Sequence, residues 1–66
     1  MTIEDMLGEL GYRRSEIAAF QHAYNRMGTD PVLVTGELDD ETERAVRFAY
    51  GARTAFVALR DRSEGS

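Results

Sequence analysis

The chain has 66 residues, no cysteine and a single histidine, His22, which excludes disulfide staples, thiolate zinc sites, cysteine nucleophiles and a multi-histidine metal site within one chain. Eight arginines stand against twelve acidic residues for a net charge of -4, the wrong sign for the basic face that supplies most nucleic-acid affinity. No apolar run approaches the roughly 18 residues of a membrane-spanning helix, and Met1 to Asp5 carry neither the basic nor the apolar region of an export signal, so synthesis in the cytoplasm without a signal peptide is expected.

Thr2 followed by Asp5 is a helix-opening capping pair. Ile3, Met6, Leu7 and Leu10 then recur at helical spacing, which predicts a helix over 3–10 with Gly11 as its stop. Ser15 is the expected cap of a second helix. On that helix Ile17, Phe20, Tyr24 and Met27 form one stripe, Ala18, Ala19 and Ala23 allow close approach, and Gly28 is the expected end. Pro31 cannot continue a helix, and Val32-Leu33-Val34 reads as an apolar loop running into a turn at Gly36.

Asp39 or Asp40 opens a third helix whose first turn carries Glu41 and Glu43, where negative charge suits the helix dipole. Thr42, Ala45, Ala49, Ala52, Phe56 and Leu59 follow at steps of three and four, widened by Val46, Tyr50 and Val57. Gly51 is the weak point at which this helix kinks or breaks. The expected fold is all-α, a compact bundle of three helices with a C-terminal helical extension that continues the third helix or folds back as a fourth. Its units are a core over 1–50, an extension over 51–62 and a disordered tail over 63–66. The expected core comprises Leu7, Leu10, Ile17, Phe20, Tyr24, Leu38, Val46 and Ala49.

The second and third helices echo one another at an offset of 29 residues. Ile17 to Gln21 aligns with Val46 to Tyr50, Ala23 with Ala52, and Met27 with Phe56. Three further pieces stand in a definite order: Leu10-Gly11-Tyr12, the helix Ile17 to Gln21 ending in Phe-Gln, and Thr35-Gly36-Glu37-Leu38-Asp39-Asp40-Glu41-Thr42. In this order they resemble the small peptidoglycan-binding domain, the three-helix module of bacterial wall hydrolases also found in matrix metalloproteinase propeptides. The resemblance covers residues 7–50, as a shortened and divergent member: Arg13 to Glu16 stand where the family has a longer capped repeat, and the link from Gln21 to Thr35 is longer than usual. It implies a non-enzymatic module that binds cell-wall glycan or stem peptide. A free-standing copy fits a phage or phage-like particle.

The chemistry-bearing side chains are few. Glu37, Asp39, Asp40, Glu41 and Glu43 lack the alternating ligands of a calcium loop and read as a solvated helix start. His22 is the one candidate general base, and no serine is placed to form a triad with it. No catalytic residue, metal or cofactor is expected. Tyr12, Gln21, Tyr24 and Arg26 with the Thr35-Gly36 turn form the expected ligand surface, since aromatic rings stack on sugar faces while Gln, Thr and Arg supply hydrogen bonds. The alternative for Tyr12 and Tyr24 is a place in the core.

Ala52, Phe56, Val57 and Leu59 form an expected partner surface for another protein or a second copy, because so small a core leaves apolar faces uncovered. The alternative is that this segment folds back into the core. The rival function is therefore a structural or adaptor protein, in a virion or another assembly, that keeps the fold and binds protein. A third reading, a helix-turn-helix regulator using Arg44, Arg47 and Arg53, has the acidic charge against it.

Overall fold

A Schellman turn closes the first helix. In the computed structural model, which describes residues 1–27 and 30–64 (the last two by backbone alone), α1 spans Ile3–Glu9. Thr2 and Asp5 form a reciprocal capping box at its start: the Asp5 N–H donates to Thr2 Oγ1 at 3.1 Å and the Thr2 N–H to Asp5 Oδ2 at 3.3 Å. At its end the Tyr12 N–H donates to the Leu7 carbonyl and the Gly11 N–H to that of Gly8. This geometry needs a left-handed residue, and Gly11 supplies it with φ of 93°.

The second helix starts differently from expectation. Arg14–Glu16 form a 3₁₀ turn, the Arg13 N–H donates to Glu16 Oε1 at 2.9 Å, and α2 runs Ile17–Asn25 without a side-chain cap. Ser15 therefore lies inside the 3₁₀ turn and does not cap the helix. Gly28, the expected helix end, lies outside the described residues.

Helix α3 spans Asp40–Gly51, capped by Asp39, whose Oδ1 accepts from the Thr42 N–H at 2.9 Å. The ladder ends at Ala52, which leaves helical geometry at φ -114° and ψ 33°. Helix α4, Arg53–Glu64, starts immediately afterwards and includes Ser63 and Glu64, which the sequence reading gave to the tail. Residues 65–66 lie outside the described residues.

The fold is all-α, a small bundle with four α-helices among the described residues. Helix α3 packs against the other three. Leu7, Leu10, Ile17, Phe20, Tyr24, Val46 and Ala49 are buried as expected, with Leu38 half-buried against them. Phe56 joins them. Its ring lies 5.8 Å from that of Phe20 and 6.4 Å from that of Tyr12, so α4 folds back and completes the core. Arg60, one turn further on, donates through Nη1 to the Leu10 carbonyl at the end of α1 and lies 5.4 Å from the Tyr12 ring centroid. A buried ring and a charge-assisted hydrogen bond thus hold α4 to the bundle.

The link from α2 to α3 is pinned at two points. Asn25 clasps the backbone of Val32 in both directions, donating through Nδ2 to its carbonyl at 2.9 Å and accepting at Oδ1 from its N–H at 2.8 Å. Val32 is buried, whereas Leu33 is 74% exposed and Val34 is also exposed. Only the first residue of this apolar run packs inward. The second point is Gln21.

Candidate ligand groove

Gln21 occupies the inward stripe of α2, at the four-residue step after Ile17, and it is fully buried. Its Oε1 accepts from the N–H groups of Thr35 at 3.0 Å and Gly36 at 2.9 Å. Its Nε2 donates to Thr42 Oγ1 at 2.8 Å and to Thr35 Oγ1 at 3.3 Å. All four hydrogen-bonding sites of the amide are thereby used. The two N–H groups can face one oxygen because Gly36 turns the chain at φ of 77°, the left-handed region. Residues at the end of the Phe-Gln pair, in the Thr-Gly turn and at the start of α3 meet around this one side chain.

The same geometry corrects the expected ligand surface. Gln21 is a buried tie between elements and offers nothing to solvent. Tyr12 is buried between Phe20, Phe56 and Arg60, and Tyr24 is buried against Phe20. Arg26 is exposed but lies in a separate groove with Ala23, Met27 and Leu59. Thr35 and Gly36 sit at the surface with their backbones committed to Gln21. Tyr12 thus joins the core, and Gln21, Thr35 and Gly36 form the tie. Arg26 lines a separate groove, and Tyr24 packs in the core with an edge on the groove where the pinned loop meets α3. Of the expected partner surface, Phe56 is 1% exposed and belongs to the core, Ala52 and Val57 are half-buried, and Leu59 stays at the surface, 44% exposed.

A groove of about 320 Å³ opens where the pinned loop meets α3, lined by Tyr24, Asp30, Pro31, Val32, Glu41, Arg44, Ala45 and Phe48. That volume is at the lower end of small-molecule clefts, roughly 300–1,000 Å³. Glu41, Arg44, Ala45 and Phe48 share one face of α3 through steps of three and four. Phe48 is 52% exposed, and its ring meets Tyr24 edge-on at 6.2 Å with an interplanar angle of 89°. Tyr24 in turn packs on Phe20, so a continuous series of rings runs from the core to this surface and fixes Phe48 from behind. The apolar floor carries carboxylates from Asp30 and Glu41 and a guanidinium from Arg44.

Sequence reasoning missed Phe48 as a groove-lining residue and gave Arg44 only to the nucleic-acid alternative. The available signal was that Phe48 lies off the stripe of Thr42, Ala45, Val46 and Ala49, so a large ring was left facing water. Asn25 carried a weaker signal, an amide four residues beyond Gln21 and hence near the inward face.

His22 lies exposed on α2, away from the groove lining. Among the described residues no group of three His, Asp or Glu side chains is arranged to hold a metal ion, and no helix is long and apolar enough to cross a membrane. The chain matches no family model, and no curated protein or solved structure is significantly similar to it.

Proposed function

We propose that the chain is a non-enzymatic helical binding module of the peptidoglycan-binding type, which takes cell-wall glycan or its stem peptide in the Tyr24–Phe48 groove. The observation that carries this reading is the half-exposed Phe48 ring, backed by Tyr24 and flanked by Asp30, Glu41 and Arg44. A sugar offers an apolar C–H face to such a ring, and its hydroxyls donate to carboxylates. Arg44 can donate to an acetamido carbonyl or to a stem-peptide carboxylate. The meeting of Phe20-Gln21, Thr35-Gly36 and Thr42 around one amide supports the resemblance on which the ligand class rests. The non-enzymatic reading is supported by the exposure of Asp30 and Glu41, since glycoside cleavage needs a carboxyl held in a shielded cleft.

The test is co-sedimentation with purified peptidoglycan. Wild type should pellet at high micromolar concentration. Phe48→Ala and Arg44→Ala should each weaken binding about tenfold, equivalent to about 1.4 kcal/mol. His22→Ala, at an exposed residue outside both this groove and the one lined by Leu59, should leave it unchanged. Failure of the wild type to pellet, or equal binding by all four proteins, contradicts the proposal.

A further inference from the structure

A second groove, of about 230 Å³, lies between the ends of α2 and α4 and is lined by Ala23, Arg26, Met27, Leu59, Arg60 and Arg62. Its floor is apolar, with Leu59 exposed and Met27 half-buried. Three of the chain's eight arginines line it. Arg60 is committed to the Leu10 carbonyl and Asp61, whereas Arg26 and Arg62 stand exposed. In a chain of net charge -4 this is a concentrated basic rim around an apolar patch.

The complementary surface is on the same chain. Leu33 is 74% exposed on a segment without helix or strand, Val34 lies beside it, and Glu37, Asp39, Asp40 and Glu41 follow within eight residues of Leu33. An apolar knob trailed by carboxylates matches an apolar groove rimmed by guanidiniums in both respects. The two surfaces share no residue.

We propose that the groove's occupant is the Leu33–Asp40 segment of a second copy of this chain. The contact is head-to-tail: Leu33 of one molecule seats on Leu59 and Met27 of the next, with its acidic residues against Arg26 and Arg62. Such a heterologous contact leaves a free groove at one end and a free knob at the other, so assembly proceeds beyond a dimer to a ring or a filament. A contact built on one loop is small and therefore weak and concentration-dependent. An array would present many Tyr24–Phe48 grooves at once and raise avidity for a polymeric ligand. The assembly itself does not depend on that ligand, because neither the docking groove nor the Leu33–Asp40 segment contributes a residue to the lining of the Tyr24–Phe48 groove.

Sedimentation velocity tests this, run from about 10 µM to about 1 mM at low and high salt. The wild type should gain mass steadily past the dimer, and salt should suppress the gain. Leu33→Ser and Leu59→Ser should each be monomeric with the helical circular-dichroism spectrum retained, and Leu33→Ser, at a side chain 74% exposed, should melt as the wild type does. Mixing these two variants should restore one intact contact and give a heterodimer that grows no further. A wild type that stays monomeric at about 1 mM overturns the proposal. So does a closed dimer unaffected by either change, or a mixture of the two variants that fails to associate.

Discussion

At the scale of single residues, the tie at Gln21 sets the strongest expectation. Gln21→Met keeps the side chain's length but removes the amide donor from Thr42 Oγ1, which retains its side-chain bond to Asp39, and the acceptor from the Thr35 and Gly36 N–H groups. The two N–H groups are near water and rehydrate, so the cost should be about 0.5–1.5 kcal/mol, the net worth of a lost hydrogen bond. Chemical denaturation measures it, and an unchanged midpoint contradicts the tie. Gly36→Val should also destabilise the fold, because a β-branched residue resists the left-handed backbone that presents both N–H groups to Gln21. Asp39 makes a pH-dependent contribution. The Thr42 backbone hydrogen bond, followed by its side-chain one, holds the Asp39 carboxyl below the ordinary aspartate range. Stability from this cap is therefore full above about pH 4 and is lost as pH falls through the lowered folded value. Asp39→Asn keeps a capping oxygen and should remove this part of the acid dependence, as thermal melts from pH 2 to 6 would reveal. The role of Gln21 was in part legible in the sequence, since positions 17, 20, 21 and 24 are one inward stripe. Its polarity pointed outward while its register pointed inward, and burial follows register when every hydrogen bond can be met.

Among the elements, α4 decides whether the bundle closes. Phe56→Ala should cost about 3–5 kcal/mol, the range for emptying a buried aromatic site. A denaturation midpoint equal to wild type would mean that α4 is not part of the core. The break before α4 was legible as Gly51, but the direction taken afterwards was not. Phe56 stands four residues after Ala52, so it continues the α3 stripe in a straight helix and also serves as the inward residue of a folded-back one. The choice rests on three long-range partners, Phe20, Tyr12 and the Leu10 carbonyl, which local spacing does not encode. Ser15 shows the same limit on a smaller scale: a capping residue type was present, yet Glu16 and the 3₁₀ turn already satisfied the backbone. Gly8 offers a gain, since it lies inside α1 with open space where a Cβ would be added. Gly8→Ala should stabilise the protein by about 0.5–1 kcal/mol in the same denaturation assay.

For the whole molecule, the helical class and most of the core followed from apolar periodicity, because a chain this small has few ways to bury two amphipathic stripes. The candidate groove was not legible, since it forms where residues 30–32 meet α3. That meeting is set by the clasp of Asn25 on Val32 and by the tie of Gln21 to the turn. Tyr12 and Gln21, selected for their chemistry, hold the fold, while Phe48 is the exposed ring of the groove in which we propose the ligand sits. An amide-resolved NMR titration with a soluble peptidoglycan fragment tests this division most directly. The account predicts saturable shifts confined to residues around Tyr24, Asp30 to Val32 and Glu41 to Phe48, abolished by Phe48→Ala with the rest of the spectrum intact. Shifts absent at millimolar fragment, or centred on Tyr12 and Arg26, would contradict it.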